Sequence, residues 1–256
     1  IHHPDVRRML LSMKAQTEAM RALAYFAAAL LDRSKHHPDA AQRRRDQAML
    51  DLLTPVVKGW CTEQAIEIAS TGVQIHGGMG FIEEAGAAQY LRDARITTIY
   101  EGTTGIQAND LVGRKVGAEA GATALALIKA MRSVASKLEA GPFADTRGSL
   151  KDAIDGLEQA TRWIVDSFPR DAKAVAAVSV PYLKLFGTVS GGWMMARAAL
   201  IASEQLKQPD ADQGFLEAKL ATARFYAEHE LPKAAALARE VIHGAASVLA
   251  LDPAKF

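Results

Sequence analysis

Gln74-Ile75-His76-Gly77-Gly78-Met79-Gly80-Phe81 is the stretch on which the fold turns. Its glycines can bare backbone N–H groups to a phosphate or pyrophosphate, or they can make a tight turn between helices. What precedes them separates two fold classes, because a dinucleotide loop of the Rossmann kind follows a β-strand. Here Met49, Leu52, Leu53, Val56, Val57, Trp60, Ile66 and Ala69 give the buried face of a helix running over about residues 38–72. A Rossmann sheet is therefore disfavoured. Pro55 sits inside this helix and cannot donate an intrahelical bond. A kink is expected there, or a fresh start with Thr54 as cap.

Outward from this stretch the chain stays helical. Val6, Leu10, Met13, Thr17, Met20, Ala24, Ala27 and Leu31 recur at spacings of three and four and predict one long first helix with a single apolar stripe. Pro4-Asp5 suits its first turn, and His36-His37-Pro38 its end. Ten of the nineteen glycines lie from Gly72 to Gly121, so irregular backbone separates short helices at about 86–95 and 104–116. Beyond residue 117, helices are expected at about 118–140, 149–168, 171–206 and 211–251, with Pro181 and Pro232 kinking or splitting the last two. Gly141-Pro142 and Gln208-Pro209-Asp210 are turn signals. The expected fold class is all-α: a helical bundle over 1–117 followed by a second helical bundle over 118–256.

Composition narrows the function. A formal net charge of +1 over 256 residues gives no bulk attraction to nucleic acid or to an anionic membrane. Arg43-Arg44-Arg45 reads as a solvated helix face. The longest apolar run, residues 22–31, is too short to span a bilayer, so no membrane insertion is expected. A single cysteine, Cys61, excludes an intramolecular disulfide and a cysteine-clustered zinc site, fits a cytoplasmic setting, and reads as buried packing beside Trp60. His2-His3 and His36-His37 have no carboxylate or cysteine cluster to complete a metal site.

Two further elements follow the glycine stretch: Arg92-Asp93-Ala94-Arg95, and Ile99-Tyr100-Glu101-Gly102-Thr103-Thr104-Gly105-Ile106-Gln107. A carboxylate beside apolar and aromatic groups loses hydration and accepts a proton more readily, as a general base must. Gly102 leaves room for another molecule beside Glu101. A glutamate near a helix start can also be a plain cap. Arg92, Asp93 and Arg95 suit ion pairs on or between helices, His76 suits packing, and Trp163, Tyr182, Phe186 and Trp193 suit a core.

Together these elements resemble the acyl-CoA dehydrogenase family. Gln-x-x-Gly-Gly-x-Gly, Arg-Asp-Ala-Arg and Ile-Tyr-Glu-Gly-Thr occur in the family's order, with Glu101 placed 27 residues after Gln74 as in that family. The resemblance covers about residues 1–116. Residues 118–256 look like the extra C-terminal helical domain of larger bacterial members, a group that includes 3-methylmercaptopropionyl-CoA dehydrogenase-like enzymes. It implies FAD-dependent oxidation of an acyl-CoA to the trans-2-enoyl-CoA, with Glu101 taking the α-proton while a β-hydride goes to the flavin. The backbone N–H of Glu101 would donate to the thioester oxygen. By the same resemblance Gln74, Gly77 and Gly78 hold the ADP part of FAD, commonly a neighbouring subunit's. Thr103 and Gly105 line the flavin, and Tyr100 and Gly102 line the thioester end of the substrate pocket. Many relatives have glutamine where Gly105 stands. A bacterial cytoplasmic homo-oligomer that passes electrons to an electron-transferring flavoprotein is implied.

The resemblance is incomplete. The family's N-terminal helical domain, its middle β-domain and its Arg-x-x-Phe-Gly helix have no counterpart here, and the chain opens on Ile1. The expectation is a C-terminal fragment, inactive alone and not retaining FAD. Two other readings remain: a fragment of an acyl-CoA oxidase, whose flavin oxygen reoxidises, and a non-catalytic helical oligomerisation module.

Overall fold

The computed structural model describes residues 1–138 and 143–255, and among these it is helical with no strand. The expected turn at Gly141-Pro142 lies outside the described residues. Two long helices, α1 (Pro4–His36) and α2 (Ala40–Ile75), form a hairpin across three residues. Asp39 closes it by capping α2, its carboxylate accepting from the Ala41 N–H at 2.8 Å. α2 runs unbroken through Pro55, and the Thr54 hydroxyl donates back to the Leu50 carbonyl at 2.8 Å instead of capping a new helix. The flanking Leu52, Leu53 and Val56 are fully buried, and their burial outweighs the roughly 3 kcal/mol that an interior proline costs.

The anticipated stripe of α1 is only partly the core face: Ala27 is buried and Met20 packs against the core, but the buried face is rotated onto neighbouring positions. Ala15, Gln16, Ala19, Leu23, Ala27 and Leu30 are buried, whereas Leu10 and Leu31 are exposed. Met13, Thr17 and Met20 line an open apolar groove of about 530 Å³, together with Ile68 and Ala69 of α2. Alanines face the core because they let neighbouring helices approach closely.

Three short helices follow: α3 (Gly78–Phe81), α4 (Ala87–Ile96) and α5 (Thr104–Asp110). The helix expected over 104–116 changes to a π-helical turn at Leu111–Gly117. There the ring of Phe168 sits so close to Gly117 that a Cβ would meet it at 2.6 Å. The rest is α6 (Ala122–Lys137), α7 (Ala144–Ser167), α8 (Ala172–Ala177), α9 (Ser179–Gln205), α10 (Gln213–His229), α11 (Lys233–His243) and α12 (Ala245–Leu249). Pro181 falls in the first turn of α9, where its missing N–H costs nothing. Pro232 immediately precedes α11. Both long stretches are thus split, as proline chemistry requires.

α9 is the axis of the core, and its apolar length is used there. Among the described residues it alone is long and apolar enough to cross a membrane, and 78% of that window is buried inside the protein. Trp60 of α2, 1% exposed, lies against α9 at Gly187 and Gly191. A Cβ at Gly187 would overlap the indole, and one at Gly191 would meet the Tyr226 hydroxyl at 2.5 Å. That hydroxyl donates to the Thr188 carbonyl at 3.0 Å, and Tyr182 shares a 2.8 Å hydrogen bond with Thr161. Tyr182, Phe186 and Trp193 are core, as expected, whereas Trp163 is partly exposed. One apolar cluster runs across residues 117 and 118, from Leu23, Trp60 and Val116 to Ile128, Leu157 and Phe186.

Gly187→Ala tests this packing by sign. Helix propensity alone favours alanine by about 1 kcal/mol, whereas overpacking costs about 1–3 kcal/mol. The urea midpoint is expected to fall, and a rise would show that the Trp60 contact does not constrain α9.

Candidate functional site

Residues 97–103, between α4 and α5, bring Tyr100, Glu101, Gly102 and Thr103 together, with Gly105 in the first turn of α5. The backbone here is unusual. Glu101 has φ 52° and Gly102 φ 89°, two consecutive left-handed residues. Glycine accepts this freely, and a Cβ at Gly102 would also meet the Gln107 amide nitrogen at 2.8 Å. For Glu101 the same conformation costs about 1–2 kcal/mol.

Side chains from neighbouring helices hold the loop. Lys58 of α2 donates to the Thr97 carbonyl at 2.5 Å and to the Tyr100 carbonyl at 3.4 Å. Its ammonium also stands 5.2 Å from the centre of the Tyr100 ring. Four residues beyond Tyr100, at the start of α5, the Thr104 hydroxyl donates to Glu63 of α2 at 2.6 Å. Arg95 donates to the Thr98 hydroxyl at 2.5 Å, and the Thr98 carbonyl accepts the Thr104 N–H at 3.1 Å. Thr103 caps α5, its hydroxyl oxygen accepting from the Ile106 N–H at 3.3 Å. The cap is therefore Thr103 and not Glu101.

Glu101 is exposed, and neither its carboxylate nor its backbone N–H has a hydrogen-bond partner among the described residues. This corrects the expectation that its neighbours strip its water: Tyr100 is itself 49% exposed. The surroundings are apolar but open. Ile96, Ile99 and Ile106, close to Glu101 in sequence, are all exposed, as are Met79, Phe81, Ile82 and Tyr90 before them, an amount of apolar surface that marks surface meant to be covered.

The glycine element lies elsewhere. Gly77 adopts φ 61°, ψ −147°, a conformation open to glycine alone, and turns the chain from α2 into α3. Two of the loop's N–H groups are engaged, Gly77 with the Gln74 carbonyl at 3.0 Å and Gly80 with the Gly77 carbonyl at 2.9 Å. Gln74, Gly77 and Gly78 are exposed, with open space where a Cβ would stand on either glycine. Sixteen residues of α2 separate Lys58 from Gln74, about 24 Å of helix. The structure thus does not gather the two sets of residues into one pocket. His76 is exposed, and its ring nitrogen lies 2.8 Å from the Gly72 carbonyl, so it finishes α2 instead of packing. Arg92 pairs with Glu83 at 3.3 Å, whereas Asp93 and Arg95 make no ion pair among the described residues. Burial pushes the Cys61 thiol up to about 12, which leaves it unreactive. No group of three metal-ligating side chains occurs among the described residues.

Lys58, Glu63, Thr98 and Thr104 were not anticipated from sequence. The signal for Lys58 was there: it is a lone cation within the apolar run Val56-Val57-Lys58-Gly59-Trp60.

Comparison with known proteins gives this arrangement a family. Residues 1–116 match the profile of the acyl-CoA dehydrogenase C-terminal domain, and residues 122–252 match that of the acetyl-CoA dehydrogenase C-terminal-like domain. The chain belongs to the acyl-CoA dehydrogenase family. It is 46% identical to 3-methylmercaptopropionyl-CoA dehydrogenase of Ruegeria pomeroyi over 92% of its own length and 40% of that protein's. Two solved structures share the fold. One is Caenorhabditis elegans ACDH-11 in complex with C11-CoA (TM-score 0.71, 23% identity, 94% of this chain and 40% of that one). The other is an acyl-CoA dehydrogenase complexed with FAD from Bacillus anthracis (TM-score 0.70, 18% identity, 94% and 42%). The chain spans about two fifths of the length of these relatives.

The strain at Glu101 is measurable. Glu101→Gly and Glu101→Ala remove the same carboxylate, but only glycine relieves the left-handed backbone. The glycine variant is expected to be the more stable by about 1 kcal/mol in urea unfolding. The reverse order would show that Glu101 is not held at positive φ.

Proposed function

We propose that this chain is the C-terminal part of an FAD-dependent acyl-CoA dehydrogenase and that Glu101 is its catalytic base. The observation that carries this reading is the loop itself. In a chain of this family it holds a free carboxylate and a free N–H on one residue, next to an uncovered apolar face. Glu101 takes the proton from the carbon next to the thioester carbonyl. Its backbone N–H donates to the thioester oxygen, where charge collects as that proton leaves. FAD supplies a two-electron acceptor for the β-hydrogen, which leaves as hydride, so that the product is the trans-2-enoyl-CoA.

The residues present suit that cofactor. Tyr100 and Gly102 flank the thioester, and Gly102 has no side chain to obstruct it. Thr103 and Gly105 face the flavin. Gln74, Gly77 and Gly78 hold the ADP part, and their distance along α2 from the Glu101 loop suits contact with a neighbouring subunit's FAD in a homo-oligomer. The exposed apolar face supplies the surface such an assembly covers, and covering it excludes the water that now reaches Glu101. Residues 1–117 carry the site and residues 118–256 brace it. Turnover belongs to the intact cytoplasmic enzyme, with an electron-transferring flavoprotein as acceptor, and the isolated chain is inactive and does not retain FAD.

Glu101→Gln in the intact protein tests the assignment. Bleaching of the flavin by an acyl-CoA thioester is expected to slow by about 100-fold or more. A loss under about tenfold, or about 1.4 kcal/mol, would remove Glu101 from the role.

A further inference from the structure

The geometry points to Lys58 as a positioning residue for Glu101, acting through the carbonyls on the N-terminal side of the loop, a role that rests on Glu101 being the base. The loop has little of its own to hold it. The N–H groups of Ile99 and Tyr100 return to the Ile96 carbonyl, and that of Thr104 returns to Thr98. Those of Glu101, Gly102 and Thr103 have no partner among the described residues. The left-handed pair at Glu101 and Gly102 is therefore not fixed by backbone hydrogen bonds of its own. It is fixed from both sides by α2. Lys58 grips the Thr97 and Tyr100 carbonyls before Glu101, and Glu63 receives the Thr104 hydroxyl after it.

The Lys58 contact reaches nearest to the reacting group, because the Tyr100 carbonyl belongs to the peptide whose N–H is that of Glu101. Holding this carbonyl sets the plane of that peptide. It thus sets where the Glu101 N–H points and where its Cα sends the carboxylate. The ammonium over the Tyr100 ring holds the same peptide from its side chain. The Lys58 stem leaves a rigid helix beside Trp60, which is locked into α9, so the grip is anchored in the core. Without it, Glu101 can relax out of the left-handed region, and both its carboxylate and its N–H move away from the substrate. Neither group is lost, and no contact to thioester or cofactor is assigned to Lys58. The loss should therefore fall on the rate of the chemical step and not on binding.

The test uses the intact flavin-containing protein, a saturating straight-chain acyl-CoA and rapid-mixing absorbance of the flavin, for wild type, Lys58→Met, Lys58→Arg and Glu101→Gln. Lys58→Met is expected to slow flavin bleaching by about 10–100-fold. Its FAD content should match wild type and its half-saturating thioester concentration should stay within about threefold. Lys58→Arg, which can still donate to both carbonyls, should recover most of the rate. Bleaching by Lys58→Met at the wild-type rate would overturn the role. So would a loss shared equally by FAD content and substrate binding, or a failure of arginine to rescue a folded protein. If Lys58→Met does not fold, Lys58→Gln, a shorter uncharged side chain that cannot reach both carbonyls, is read the same way, with a rate loss at unchanged half-saturation expected and the wild-type rate overturning the role. A wild-type protein that thioesters do not bleach, or a Glu101→Gln variant as fast as wild type, would instead bring down the assignment of Glu101 on which the role rests.

Discussion

The seat of Trp60 on α9 is the contact on which the rest depends. Two glycines, Gly187 and Gly191, leave room for an indole to lie against α9. The contact locks α2, which belongs to the first family domain, onto a helix of the second. The residues that hold the Glu101 loop, Lys58 and Glu63, flank Trp60 within one and a half turns of α2. A helix locked in register by a fully buried tryptophan is a rigid base from which to hold a strained loop. The second half of the chain thus reaches the site without contributing a residue to it.

The energetics of the loop are close to balanced. The left-handed backbone of Glu101 costs about 1–2 kcal/mol. A charged hydrogen bond to a carbonyl contributes about 1.5–3 kcal/mol, so Lys58 is of the right size to hold what the loop would otherwise release. Thr104 with Glu63, and Arg95 with Thr98, add charge-assisted bonds at the two ends. What the chain does not supply is a dry environment, because Glu101 is open to water and much of the surrounding apolar surface is uncovered. On the proposed reading the loop offers the donor and the base, and the low-dielectric half of the pocket comes from whatever covers that face.

Much of this was legible in the sequence. The 3.6-residue period pointed to helices throughout, and the helical run before the glycines disfavoured a Rossmann sheet. Pro181 and Pro232 split their helices where the pattern said they would. The Glu101 loop and the glycine element stood out only through their joint resemblance to the family, since each alone also fits a cap or a turn. The misses have definite causes. The buried face of α1 is rotated from the anticipated stripe, and periodicity cannot tell which positions meet the core and which line a groove. Pro55 starts no new helix, because burial that only the tertiary fold supplies carries α2 through it. The positive φ of Glu101 has no local sequence marker beyond the adjacent Gly102. Lys58 and Glu63 act across some forty residues of chain, a distance at which local pattern says nothing.

The most direct measurement is a structure of the intact protein with FAD and a non-reactive acyl-CoA thioether or thioester analogue bound. A Glu101 carboxylate oxygen is expected within about 3–3.5 Å of the carbon next to the carbonyl, with the Glu101 N–H on the carbonyl oxygen and the left-handed backbone retained. A bound thioester whose reacting carbon lies against some other carboxylate, with Glu101 still facing water, would contradict it.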